Sequence, residues 1–124
     1  MKHIKWGFIG CGQAAEGVIS SLSMIDATEV VAVMSPSKDE AQQFASRHNI
    51  AEYYTDASLL INDPAVNAVY IATPPSTHPI YAIMAMNAQK PVLIETPLAA
   101  SYDDCARINR VAQATGVACY VAYY

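Results

Sequence analysis

The chain is short of charge, of cysteine and of long apolar runs, and each shortage removes a class of protein. Charged residues make up 15% of its 124 positions, and seven Lys and Arg against eleven Asp and Glu leave a net charge of −4 with no basic block. A row of phosphates is neutralised by clustered lysines and arginines, so nucleic acid is not an expected partner. Only three cysteines occur, Cys11, Cys105 and Cys119, with no CxxC pair and no His-flanked metal spacing. An odd, scattered set argues against a disulfide framework and against a zinc site, and makes a reducing cytoplasm the expected home. The apolar stretch from Trp6 to Cys11 follows Lys2 and Lys5 in the manner of a signal peptide, but it is too short and runs straight into Gly12, Gln13 and Glu16. No run approaches the roughly 18 residues of a membrane helix, so no membrane association is expected.

What the chain has in quantity is buriable material, with 53% hydrophobic residues, enough for one compact domain and too short for two. The apolar run Ile4 to Ile9 ends in glycine and is followed by Ala14, Ala15, Val18, Ile19, Leu22 and Ile25 at helical spacing, predicting a strand and then a helix. Glu29 to Met34 predicts a strand buried on both faces, stopped by Ser35 and Pro36. A second helix is expected over Lys38 to His48, a short strand at Tyr53 and Tyr54, a short helix from Ala57 to Ile61, and a strand from Ala68 to Thr73. Beyond Pro74-Pro75, the run Ser76-Thr77-His78-Pro79 reads as a cap with proline near the first turn of a helix reaching about Ala88. Pro91 to Glu95 is the next strand. Ser101 with Asp104 resembles a capping box for a helix that Gly116 ends, and Val117 to Ala122 is the last strand. Strands alternating with amphipathic helices imply βαβ crossovers and a parallel sheet covered on both faces.

Gly10-Cys11-Gly12-Gln13-Ala14-Ala15 has the form GxGxxA between the first strand and the first helix. In that context the first glycine makes the turn, the second lets backbone approach a pyrophosphate, and a small third residue packs helix on strand, with the helix N-terminus facing the anion. The fold expected is therefore a Rossmann-type doubly wound parallel sheet in three αβα layers, and the ligand a nicotinamide dinucleotide. The bland reading is a glycine turn kept for packing alone. The end of the second strand normally separates the two cofactors, because an acid there binds the adenosine ribose of NAD and repels the 2′-phosphate of NADP. Here Ser35-Pro36-Ser37-Lys38 precedes any acid. Two hydroxyls and a lysine suit a phosphate, which favours NADP over NAD. The alternative is that Ser37 merely caps the second helix and Lys38 is solvated.

Gly10-Cys11-Gly12, the run Asp63 to His78 (DPAVNAVYIATPPSTH) and the run Lys90 to Ala99 (KPVLIETPLA) together resemble the glucose-fructose oxidoreductase and inositol dehydrogenase family (Gfo/Idh/MocA). The resemblance spans essentially the whole chain, read as an NAD(P)-binding domain over residues 1–124, and corresponds to that family's N-terminal domain alone. It implies hydride transfer on a sugar, cyclitol or related small molecule, with substrate binding and homo-oligomerisation carried by a C-terminal domain absent from this chain. It also assigns roles: Gly10, Gly12, Gln13, Ala14 and Ala15 to the pyrophosphate turn, Ser35 and Lys38 to the adenosine ribose, Thr73, Pro74 and His78 to the loop along the cofactor, and Glu95 to the nicotinamide ribose. For His78 a polar residue in the first turn of a helix is an equal reading.

The family places a lysine after this glutamate, and the chain has Thr96. A threonine hydroxyl titrates far above neutral pH and is a poor general acid or base. Proton transfer then falls to the missing domain or to water, and the chain alone is expected to bind nucleotide without turnover; the alternative is a non-catalytic dinucleotide-binding sensor. Tyr120, Tyr123 and Tyr124, with Val121 and Ala122, read as an interior strand rather than a natural terminus. Cys11 reads as a small residue suited to its turn, the alternative being a thiol activated by the helix N-terminus. Cys105 and Cys119 read as inert core residues.

Overall fold

A computed structural model describes residues 3–122; Lys2, Tyr123 and Tyr124 lie outside the described residues. The elements run β1 (Ile4–Ile9), α1 (Gln13–Leu22), β2 (Thr28–Met34), α2 (Lys38–His48), β3 (Glu52–Tyr54), α3 (Ala57–Ile61), β4 (Ala68–Ile71), a 3-10 turn (Pro75–Thr77), α4 (His78–Asn87), β5 (Val92–Glu95), α5 (Tyr102–Thr115) and β6 (Cys119–Ala122). The strands form one sheet in the order β3-β2-β1-β4-β5-β6, with every neighbouring pair parallel. This is the expected Rossmann-type α/β fold. Because the order reverses between β1 and β4, the chain leaving those strands diverges and opens a crevice at the sheet's C-terminal edge.

Alternation along the strands divides the core. Phe8, Val33 and Tyr70 face Ala15 of α1 and Phe44 of α2 on one side, with the Phe8 and Tyr70 rings 4.7 Å apart. Ile9, Met34, Ile71 and Ile94 face Leu60, Met86 and Ile108 of α3, α4 and α5 on the other. Three helices therefore cover one face and two the other. The side left short is the β4-β5-β6 half, where Trp6, Leu93 and Tyr120 line a cavity of about 620 Å³ at the strands' N-terminal edge. Tyr120 is 65% exposed there, and the shielded Trp6 Nε1 lacks an acceptor.

Local chemistry sets most element ends. The Ser37 hydroxyl caps α2 by accepting from Glu40 N, and the Ser101 hydroxyl caps α5 by accepting from Asp104 N. Gly116 closes α5 with φ +71°. β4 stops at Ile71 rather than Thr73 and β6 starts at Cys119 rather than Val117, and two helix ends also differ from expectation. Helix α1 stops at Leu22; Ile25, which continues its apolar spacing, is more than half exposed because the chain must turn at once into β2, with Ala27 at φ 63°. Thr77 gives α4 no side-chain cap, since at the end of the 3-10 turn its backbone is helical, φ −92° and ψ −13°, and not extended as at the capping Ser37 and Ser101.

The link from β3 to β4 is held by polar groups. Tyr54 donates to Asp63 at 2.7 Å, and Lys90 Nζ donates to the carbonyls of Ile61 and Asp63. Hydrogen bonding from Tyr54 holds the Asp63 carboxyl below its ordinary value, and the same bond pushes the Tyr54 phenol up to about 12. A carboxyl depressed in the fold contributes stability above its unfolded value that is lost as pH falls through the folded one; a raised phenol contributes stability lost as pH rises towards 12. Wild type is thus expected to lose more stability than Tyr54→Phe both on acidification below about pH 4 and on alkalinisation above about pH 10. Urea midpoints measured across pH test this, and parallel curves for the two proteins would refute it.

Candidate functional site

The turn after β1 lies over the crevice. Gly10 sits at φ +103°, and a Cβ there would come within 2.9 Å of the Ala72 carbonyl oxygen. Its N–H donates to the Met34 carbonyl at 2.8 Å, tying the turn to the end of β2. Gly12 follows in extended backbone as the N-cap of α1. A Cβ at Gly12 would meet nothing within 4 Å, so no packing demand explains a glycine there. The first intrahelical bond is donated by Glu16 to the Gly12 carbonyl, which leaves the N–H groups of Gly12, Gln13, Ala14 and Ala15 without a helical acceptor. Open space in front of unspent donors at a ten-residue helix's N-terminus is a cradle that fits a pyrophosphate.

A cleft of about 350 Å³ runs from this turn. Gly10, Cys11 and Gly12 line it together with Ser35 and Pro36 after β2, and Ala72, Thr73 and Pro74 after β4 close the far side. Of the residues singled out in the sequence, the cleft brings together Gly10, Gly12, Ser35, Thr73 and Pro74. Gln13 and Ala14 stand exposed in the first turn of α1, whereas Ala15 is fully buried against the sheet. Lys38 is exposed and does not line the cleft.

His78 and Glu95 lie further along the same edge, and each is held by protein groups. His78 is 1% exposed; its Nδ1 is 3.0 Å from the Leu98 carbonyl oxygen and its Nε2 2.8 Å from that of Thr73. The ring therefore bridges the loops after β4 and β5. Glu95, half-buried at the end of β5, accepts from the Tyr70 phenol at 2.5 Å. Thr96 follows it, exposed. Burial pushes the Cys11 thiol up, the direction opposite to that of an activated thiol. Cys119 is also raised by burial. Among the described residues no group of His, Cys, Asp and Glu is placed to hold a metal, and no helix is long and apolar enough to cross a membrane.

Three residues of the cleft escape a reading of the loops alone: Glu40, Gln43 and Arg47, all from α2. Their spacing of three and four puts them on one helical face, the signal that could have found them. Arg47 pairs with Glu16 Oε1 at 2.5 Å while His48 meets Glu16 Oε2 at 2.6 Å. Glu16 is held below the usual carboxylate range mainly by Arg47. This pairing pins α1 to α2 beside the cradle, and Arg47 also lies 5.6 Å above the Phe44 ring.

A parallel sheet with its order reversed at β1 and β4, an anion cradle at that reversal and a cleft beside it define a dinucleotide-binding domain. The profile of the Gfo/Idh/MocA oxidoreductases, described as an oxidoreductase family with an NAD-binding Rossmann fold, matches residues 4–123, and the chain belongs to this family. It is 40% identical over 125 residues to oxidoreductase P35 of Formosa agariphila, covering 98% of this chain and 38% of that protein. With an inositol 2-dehydrogenase of Acidothermus cellulolyticus it shares 36% identity, over 93% of this chain and 34% of the relative. The crystal structure of a probable dehydrogenase from Thermotoga maritima superposes with a TM-score of 0.92 at 26% identity, over 96% of this chain and 36% of that one. The chain thus spans little more than a third of the length of these relatives.

Proposed function

We propose that this chain is the nucleotide-holding part of an enzyme that moves a hydride between a nicotinamide dinucleotide and a sugar, cyclitol or related small molecule. The observation that carries the reading is the open cradle at Gly12, where space and donors coincide at the sheet's reversal point. The inositol dehydrogenase among the relatives supports the substrate class. When bound, the nicotinamide ring supplies the hydride chemistry. The chain's own residues do the holding: Gly10 and Gly12 with the α1 N–H groups take the pyrophosphate, Thr73 and Pro74 flank it, and Glu95, steadied by Tyr70, serves the nicotinamide ribose. His78 braces the loop that bears Thr73.

In this reading the chain binds nucleotide without turnover, because Thr96 is a poor proton carrier and proton transfer falls to another domain or to water. The whole enzyme carries a second domain for substrate and for homo-oligomer contacts. The apolar surface at Trp6, Leu93 and Tyr120 supports this, since exposed apolar area of that kind marks a contact site. Three unpaired thiols suit a cytoplasmic setting. Thr96 is also the one observation favouring a second reading, a sensor that binds dinucleotide and catalyses nothing.

Calorimetric titration of the chain with NAD and with NADP tests the proposal. Saturable binding of one nucleotide per chain is expected, and absence of heat with both at millimolar nucleotide would sink it.

A further inference from the structure

The sequence places no acid at the end of β2, yet the fold brings one there. Glu40, in the first turn of α2, turns back so that its Oε2 accepts from the Ser35 hydroxyl at 3.1 Å. The same Ser35 oxygen accepts from Ser37 N at 3.2 Å, and Ser35 is 3% exposed. The Ser37 hydroxyl is engaged as the cap of α2, accepting from Glu40 N at 3.3 Å. The Ser35 proton is therefore already given to Glu40, the Ser37 oxygen is occupied as the helix cap, and Lys38 does not line the cleft. Glu40 does line the cleft, beside Pro36. One of its carboxylate oxygens is oriented by Ser35, and the other has no hydrogen-bond partner among the described residues. The cation on this wall, Arg47, is engaged by Glu16.

We propose that Glu40 determines cofactor choice, accepting a hydrogen bond from the adenosine 2′-hydroxyl of NAD and excluding the 2′-phosphate of NADP. This deepens the function proposed above and rests on the cleft being the nucleotide site. The chemistry is one of donors and acceptors. An ionised carboxylate only accepts, and a ribose hydroxyl can donate to it. A phosphate monoester carries about −1.5 to −2 charges and presents only acceptors, so it meets Glu40 with repulsion and no shared proton. The Ser35 bond fixes the carboxylate at this lip rather than leaving it to swing into solvent, which is what gives the charge a defined place. Preference for NADP, expected from Ser35 and Lys38, is replaced by preference for NAD.

The test is a set of dissociation constants for NAD and NADP with wild type, Glu40→Gln and Glu40→Lys, at one fixed ionic strength. Wild type is expected to bind NAD at least about tenfold more tightly than NADP. Glu40→Gln should cut that ratio about tenfold, chiefly by a gain for NADP, and Glu40→Lys should invert it. Glu40 is exposed, and the α2 cap uses its backbone N–H; glutamine can still accept from Ser35, so an unchanged melting temperature is expected for Glu40→Gln, and a fall of no more than a few degrees for Glu40→Lys, which loses that bond and an acid in the first turn. Tighter NADP binding by wild type, or an unchanged ratio in Glu40→Gln, overturns the role of Glu40 while leaving the nucleotide site standing. Failure of wild type to bind either dinucleotide overturns the site reading, and this proposal with it.

Discussion

Replacing Gly12 by aspartate is expected to remove nucleotide binding, weakening it by at least about 100-fold, while leaving the fold as stable as before or slightly more so. The two effects have opposite signs because one position serves two masters. As an N-cap in extended backbone, with φ −86° and ψ −163°, it accepts aspartate well, and a capping carboxylate improves on glycine by a few tenths of a kcal/mol. Nothing lies within 4 Å of the new Cβ, so no packing is disturbed. The same carboxylate, however, fills the cradle, takes up a free N–H and sets a negative charge against a pyrophosphate. Thermal melting paired with NAD titration checks this. A variant that melts like wild type and still binds NAD would show that the cleft is not where the phosphates go.

Gly10→Ala should do the reverse, damaging the fold itself. Its φ of +103° is a conformation an L side chain rarely adopts, and the added methyl would press on the Ala72 carbonyl at 2.9 Å. That carbonyl belongs to a backbone tied to β1 by Ala72 N donating to Ile9 at 2.9 Å, so it cannot retreat without breaking the pairing at the end of β4. Strain of this kind costs about 2–4 kcal/mol, equivalent to a fall in Tm of roughly 10 °C for a domain of this size. Differential scanning calorimetry reads it directly, and an undiminished Tm would mean that the turn relaxes freely. Together the two glycines separate what holds the turn from what the turn holds.

Much of this was legible in the residues. β1, its glycine turn and the alternation of strand and helix follow from periodicity, and so does the location of the cradle, because a tight turn between a buried strand and a helix leaves few choices to the backbone. Boundaries were less legible: the apolar spacing that carries α1 on to Ile25 says nothing of the turn needed to enter β2 in register, and that turn ends the helix at Leu22. The partners of individual side chains were hidden further. His78 is visible as a polar residue in the first turn of a helix and Glu95 as one at a strand end, but the Leu98 carbonyl and the Tyr70 phenol that occupy them come from elsewhere in the chain. Glu40 was concealed for the same reason. Reading along the loop after β2 finds Ser35 and Lys38; only folding brings a residue from the next helix back over them.

The imidazole of His78, wedged between Thr73 and Leu98, changes the thermodynamic character of the cleft. Two loops leaving neighbouring strands would ordinarily sample positions independently, and a ligand lying along both would have to arrest each in turn. Bridged by a ring with 1% exposure, they behave as a single ledge whose disorder is given up during folding, before any nucleotide arrives. Binding then carries a smaller entropic penalty and a less negative entropy change than two free loops would produce.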